Sequence, residues 1–243
     1  MARHVVLDNV AHKNLKIITR RAAELGDNVA AAGVFPVEFR ALQTDYPIVF
    51  RKLGETGAYE PVSVFGFEPG ENLFLRGAGW DAFYLPMSVE RQPFLIGLEE
   101  EGPDADERMS VHIDLDSKRV SEREGEPIFL ELGGVTPYLD HIRSVLRAIH
   151  EGHAANRAFS GLLVEHDLLE PFALDVELKN GVRRRMEGFH TISEEALGAL
   201  DGDALEALHR KGFLEAAYMA LASLSNFRKL IRWKQESEKR SGL

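Results

Sequence analysis

The stretch "PFALDVELKNGVRRRMEGFH" (residues 171–190) carries the clearest local signal for the fold. Two runs of alternating apolar and polar residues flank the dipeptide Asn180-Gly181. Because both of these residues tolerate positive φ, the dipeptide favours a two-residue type I′ turn. The sequence therefore predicts one antiparallel β-hairpin in this region.

Helical patterns lie on both sides of the hairpin. Upstream, Thr136 is a good N-cap and Pro137 suits the first helical position. An apolar stripe at three- and four-residue spacing follows, and its phase slips after Gly152, which predicts a second helix set at an angle to the first. Downstream, Ser193 can cap a short helix, and a long last helix is predicted from Phe213 to about Trp233.

The first half of the chain is predicted to form short strands separated by turns. Runs such as "PIVFRKL", "PVSVFGF", "FLIGLEE" and "MSVHIDL" are β-branched or aromatic, with Gly, Pro and Asn between them. The acidic run at residues 99–107 is predicted to be an exposed hairpin loop. We therefore expect an α+β fold, with an antiparallel, strand-rich N-terminal half and a helical C-terminal half that contains one β-hairpin. A single domain over residues 1–243 is predicted, with a candidate seam near residue 136.

Composition limits the classes of partner. The chain of 243 residues has a net charge of -10 and no cysteine, so disulfides and thiolate metal sites are excluded. The acidic balance argues against a nucleic-acid partner, since the basic groups at Arg183–Arg185 and in the C-terminal tail suit solvated faces. No segment reaches the ~20 apolar residues that cross a bilayer, and the N-terminus lacks a signal-peptide pattern. We expect a cytoplasmic protein with no membrane partner; no sequence feature indicates an oligomeric state.

One short string suggests metal chemistry. His112-Ile113-Asp114 is the H-x-D pattern of non-haem iron sites, and His190 is the best candidate for a third ligand. The alternative is an ordinary half-buried strand in which Ile113 faces the core while His112 and Asp114 face water. The pair His150 and His153 has helical spacing that can chelate zinc, but it also suits a helix end. The strand and helix-end interpretations are preferred, so no metal and no cofactor are predicted. Nucleophile-elbow, phosphate-loop and dinucleotide motifs are absent as well.

The segment "GAGWDAFYLPMSVERQPFLIG" (residues 77–97) concentrates aromatic, proline and arginine side chains. Aromatic residues with an arginine are typical of binding hot spots, and prolines hold the backbone in one shape. The alternative is that the aromatic rings fill the core, which we favour for Phe83 and Phe94; for Trp80, Tyr84 and Arg91 both interpretations stay open. The predicted site for a ligand or partner consists of Trp80, Tyr84, Pro86, Arg91, Pro93 and Phe94.

The same segment resembles the signature of the SapC family of bacterial proteins. Within "ENLFLRGAGWDAFYLPMSVERQPF" (residues 71–94) are E-N-x-F, W-x-x-x-Y-x-P and R-x-P-F elements in order. Further agreement comes from "DYPIVF", "IDLDS", "EGEPIF" and "MEGFHTISEEALGAL", so the resemblance spans roughly residues 30–230. Gln92 stands where the family usually has an aromatic residue, and Asp114 belongs to the pattern whereas His112 does not.

The resemblance implies an accessory role in a system that modifies or imports a peptide or an aromatic compound. We expect a non-catalytic binding protein that holds a peptide, an aromatic small molecule, or a partner enzyme such as a flavin-dependent halogenase. The alternative is a peptide- or tryptophan-modifying metal-dependent oxygenase that uses the H-x-D site.

Overall fold

A computed structural model describes residues 3–54, 57–77, 79–98, 109–177 and 183–241 of the chain. It confirms the α+β class: the sheets are antiparallel and most helical residues lie in the C-terminal half. The predicted turn at Asn180-Gly181 and the acidic run at residues 99–107 lie outside these ranges.

The larger sheet has five antiparallel strands in the order β12-β13-β4-β5-β3. Its strands are β3 (Ala31–Gly33), β4 (Ile48–Lys52), β5 (Tyr59–Val64), β12 (Leu169–Glu177) and β13 (Arg183–Ile192). Strands β12 and β13 form the predicted hairpin, with a register shift between Phe172 and Leu174. The hairpin joins the N-terminal strands through β13, which pairs with β4.

A second sheet has three antiparallel strands in the order β1-β9-β8. They are β1 (His4–Val6), β8 (Phe94–Leu98) and β9 (Met109–Asp114). Two smaller sheets combine the remaining short strands: β2 (Lys16–Ile17) lies between β10 (Val120–Ser121) and β11 (Glu126–Pro127), and β6 (Leu75–Arg76) pairs with β7 (Gly79–Trp80).

The central helix α3 (Pro137–Glu165) is one uninterrupted helix of 29 residues, capped by the Thr136 side chain as predicted. The expected break after Gly152 is wrong. A Cβ atom at Gly152 would lie 2.5 Å from the Phe35 ring, so the glycine allows close packing and does not end the helix. The apolar stripe slips because the helix changes partner: Leu139, Ile142 and Leu146 pack in one core cluster, and Phe159, Leu162 and Leu163 in another.

The remaining helices are shorter. They are α1 (Phe39–Leu42), α2 (Met87–Glu90), α4 (Glu194–Gly198), α5 (Gly202–Arg210), α6 (Phe213–Ser223) and α7 (Phe227–Ser241). The predicted single last helix is therefore wrong, because a 3₁₀ turn at Leu224–Asn226 separates α6 from α7. At this turn Ser223 accepts a hydrogen bond from the Ile48 backbone N–H at 2.8 Å, and Asn226 donates to the Gln43 carbonyl.

Two large apolar clusters fill the interior, and α3 contributes to both. The first lies around the five-stranded sheet and α6, and the second between the three-stranded sheet and the first half of α3. Among the described residues, every helix is too short or too polar to span a lipid bilayer.

Candidate functional site

Trp80 is a half-buried residue that packs against the first core cluster. Its indole stacks on Phe74, with 6.1 Å between ring centroids, and meets the Phe65 ring edge-on at 5.1 Å. The indole N–H donates a hydrogen bond of 2.7 Å to the Tyr46 hydroxyl, which in turn donates to the Tyr84 carbonyl at 2.5 Å. The polar atom of the indole is therefore used inside the protein.

Tyr84 lies between Trp80 and Glu38. Its carbonyl accepts the hydrogen bond from Tyr46, and its side chain hydrogen-bonds to the carboxyl group of Glu38, which is almost wholly enclosed. Glu38 accepts hydrogen bonds from the backbone N–H groups of Met87 (3.1 Å) and Phe35 (3.3 Å). Burial raises the pKa of Glu38 to about 7, although hydrogen bonds from Met87, the Tyr84 side chain and Phe35 oppose the shift. Burial likewise raises the pKa of the Tyr84 phenol, and the nearby Glu38 adds to that effect. At neutral pH this phenol is a hydrogen-bond donor.

Helix α2 connects this carboxyl group to Arg91. Pro86 is the N-cap residue of α2, and the bond from Met87 to Glu38 fixes the first turn. Arg91 follows as the C-cap, and the Gln92-Pro93 peptide bond is cis. One turn of helix thus sets the direction in which the Arg91 side chain leaves the backbone.

Arg91 is half-buried and lines a cleft of about 550 Å³, which we call the Arg91 cleft. Its guanidinium donates one hydrogen bond, to the Phe94 carbonyl at 2.7 Å, and no carboxylate of the described residues pairs with it. Burial lowers the pKa of Arg91, because the half-buried cation is less well hydrated than it would be in water. Pro93, Gln92, Lys118 and Asp114 line the same cleft. The arrangement can bind an anion at Arg91 and a positively charged group at Asp114.

The structure brings only part of the predicted site together. Arg91 and Pro93 meet at the Arg91 cleft, whereas Trp80 and Phe94 belong to different core clusters. Pro86 is buried and Phe94 is fully buried, so the core interpretation of Phe94 is confirmed. The same interpretation is wrong for Phe83, whose side chain is fully exposed; its backbone N–H is held by Asp45. The binding role of these six residues stays a prediction.

The residues considered as metal ligands are dispersed. His112 lies on β9 of the three-stranded sheet, with its ring over Gly97, whereas His190 lies on β13 of the five-stranded sheet. Ile113 is buried between half-buried His112 and Asp114, as in an ordinary strand. His150 and His153 lie within α3 and not at its end. Within the described ranges, no three His, Asp or Glu side chains are placed to hold a metal ion.

Sequence reasoning missed the buried Glu38 carboxyl group and a buried network of charges around Asp27. The Asp27 carboxylate lies 2.5 Å from the Arg119 guanidinium, with both side chains almost fully enclosed. Arg21 is 3.4 Å from the same carboxylate and donates to the Val89 carbonyl of α2. Asp27 therefore ties α2 to the loop that borders the Arg91 cleft. Neither this network nor Glu38 has a sequence signal, because charged residues are rarely buried and their burial depends on distant partners.

Comparison with known proteins gives one result. The sequence profile of the SapC family, described only as SapC, matches residues 7–230. No curated protein and no solved structure gives a significant match. Because the matched region covers nearly the whole chain and includes the segment that forms α2 and Arg91, this protein belongs to the SapC family.

Proposed function

We propose that this protein is a non-catalytic binding protein that holds a peptide or an aromatic amino-acid-like ligand in the Arg91 cleft. The observation that carries the proposal is the state of Arg91: a partly desolvated guanidinium that faces a cleft and lacks a carboxylate partner among the described residues. A cation kept in this way is favourable when a ligand supplies the missing anion.

The shape and charge of the cleft support a ligand with both an anionic and a cationic end. Its volume of about 550 Å³ lies in the range of small-molecule sites. A guanidinium with free N–H groups matches a carboxylate in two parallel hydrogen bonds. Asp114, on the lining of the same cleft, suits an ammonium group. An amino acid or the end of a peptide carries both groups.

The family resemblance supplies the setting for this proposal. In a cytoplasmic system that modifies or imports peptides or tryptophan, the chain would present the ligand to a partner enzyme such as a flavin-dependent halogenase. Trp80 would then support the site from the core, and the fully exposed Phe83 would offer an apolar contact to the partner.

The test is calorimetric titration with the dipeptide Gly-Trp and, as a matched ligand, its C-terminal amide. We expect the dipeptide to bind and the amide to bind about tenfold or more weakly, because a hydrogen bond to a charged group contributes about 1.5–3 kcal/mol. Arg91→Gln should reduce dipeptide binding to the level of the amide, and Arg91→Lys should restore it only in part, because lysine lacks the two-pronged geometry.

The control variant is Arg228→Gln, which removes an exposed arginine on α7. Its dipeptide affinity should equal that of the wild type, and the melting temperatures of all three variants should show that they remain folded. Equal affinity for dipeptide and amide, or full binding by folded Arg91→Gln, would remove the basis of the proposal.

A further inference from the structure

Three further clefts lie along α3, and neighbouring clefts share lining residues; we call this series of clefts the α3 groove. The first and middle clefts, of about 560 and 290 Å³, share Ile96 and Leu146. The middle cleft and the third, of about 560 Å³, share His153. The groove extends along α3 from Arg143 to Val164. At about 1.5 Å per residue this is ~30 Å, the length of roughly nine extended residues.

The groove is basic although the chain as a whole is acidic, with a net charge of -10. Five exposed cationic or titratable side chains of α3 line it at helical spacing: Arg143, Arg147, His150, His153 and Arg157. In the described part of the chain, Arg147 and Arg157 have no carboxylate partner, and Arg143 has only a long contact of 3.8 Å to Asp140.

The acidic residues of the lining are already engaged. Glu60 is paired with Arg51 at 2.7 Å, and the Asp8 carboxylate accepts the backbone N–H groups of Val10 and Ala11. The four arginines of the lining, including Arg91, therefore outnumber its two carboxylates, and an acidic ligand is favoured.

The middle of the groove also contains an open strand edge. Strand β8 pairs with β9 on one side, and the bond from the Asp114 N–H to the Pro93 carbonyl sets the alternation of the ladder. Leu95 and Gly97 therefore point their backbone groups at β9, while Phe94 and Ile96 point away from it. Both outward backbone groups of Phe94 are hydrogen-bonded to Arg91: the guanidinium donates to the Phe94 carbonyl, and the Arg91 carbonyl accepts from the Phe94 N–H. Ile96 keeps an N–H and a carbonyl without a partner in the described ranges.

We propose that the α3 groove binds an acidic polypeptide segment in an extended conformation, which adds as a strand beside β8 at Ile96. This inference rests on the proposed function and extends it, because Arg91 joins the groove to the Arg91 cleft. A peptide that runs along α3 with carboxylates facing Arg147 and Arg157 passes Arg91 in the middle cleft. A polypeptide fits better than a nucleic acid, since a strand edge pairs with peptide groups and Leu95, Ile96, Leu146 and Ile149 give the middle cleft an aliphatic lining.

The test is fluorescence anisotropy with a labelled peptide of about ten residues that alternates Glu and Val, the length that the groove accommodates. Two matched probes have Lys in place of Glu, or methyl groups on alternate backbone nitrogens. We expect the Glu-Val peptide to bind, the Lys-Val peptide to fail, and N-methylation to weaken binding by about tenfold or more, because it removes the strand pairing.

Protein variants then locate the binding. Arg147→Glu and Arg157→Glu should each weaken binding about tenfold, whereas Arg228→Glu, a charge reversal on α7, should leave it unchanged. Gly161→Leu should obstruct the third cleft, because a Cβ atom there meets open space; Gly161→Ala is its control and should bind normally. The substituted positions are exposed, so we expect the variants to fold, and circular dichroism checks this.

Several results would overturn the inference. These are the absence of Glu-Val binding, equal binding of the N-methylated peptide, or equally tight binding of single-stranded oligothymidine, which would indicate a general polyanion surface. Binding of Gly-Trp with no binding of the Glu-Val peptide would refute the groove alone. The converse result would refute the Arg91 cleft as the site and leave the groove in place.

Discussion

Glu38 is expected to make folding stability depend on pH in an unusual direction. Its carboxyl group is enclosed, has no cationic partner in the described part of the chain, and has a pKa raised from 4.5 to about 7 by burial. Glu38→Gln is the perturbation: it keeps the size of the side chain and an acceptor for the Met87 N–H, but it cannot ionise.

The sign and size of this pH dependence of stability follow from proton linkage. Below pH 4.5 the carboxyl group is protonated in both the folded and the unfolded chain, so it causes no penalty. Between pH 4.5 and about 7 the unfolded chain loses this proton and the folded protein keeps it, so stability falls as pH rises. Above pH 7 the full penalty applies, and the raised pKa corresponds to about 3 kcal/mol.

The assay is urea unfolding of the wild type and of Glu38→Gln at several pH values from 4.5 to 8.5. All other titrating groups are common to both proteins, so the difference between their free energies of unfolding isolates Glu38. We expect the wild type to lose about 3 kcal/mol relative to Glu38→Gln across this range. A constant offset is also expected, because the Gln amide replaces the carboxyl oxygen that accepts the Phe35 N–H. A difference that stays constant with pH would refute the raised pKa.

Two further predictions concern packing and buried charge. Gly152→Ala should lower the free energy of unfolding by about 1–3 kcal/mol, because its Cβ would lie 2.5 Å from the Phe35 ring, whereas Gly161→Ala in the same helix should raise it by up to about 1 kcal/mol. Urea unfolding of both variants measures this contrast, and equal effects would contradict it. Asp27→Asn should cost about 3–5 kcal/mol, because Arg119 would be left buried without its counter-charge. A loss below about 0.5 kcal/mol, typical of a surface change, would contradict the role of this ion pair.

The elements that the sequence predicted are those with local causes. The hairpin strands follow from alternation, and the start of α3 follows from the Thr136 cap, which needs only its own helix turn. The continuity of α3 and the break before α7 have tertiary causes. Gly152 meets Phe35, and Ser223 bonds to Ile48, across distances in the chain that no local pattern describes.

In the candidate site, too, the sequence predicted the features with local causes and missed those with tertiary causes. Arg91 and Pro93 were predicted because an arginine among prolines and aromatic rings is an unusual local composition, and both line a cleft. That Arg91 lacks a carboxylate partner among the described residues is a property of the assembled molecule. So is the burial of Glu38, Asp27 and Arg119, since each depends on residues far along the chain.

The SapC signature segment connects the two large core clusters. Trp80 packs on the first cluster and Phe94 lies inside the second, with α2 between them. Glu38 holds the start of this helix through Met87, and Arg21 holds its end through the carbonyl of Val89. Charged residues from outside the segment therefore hold both ends of this short helix. Among the described residues, the Arg91 guanidinium makes one hydrogen bond, to the Phe94 carbonyl, and the side chain lines the cleft. With both ends of α2 fixed, the Arg91 side chain, which has no carboxylate partner among the described residues, starts from a fixed backbone position. Such preorganisation would favour the proposed binding of a carboxylate.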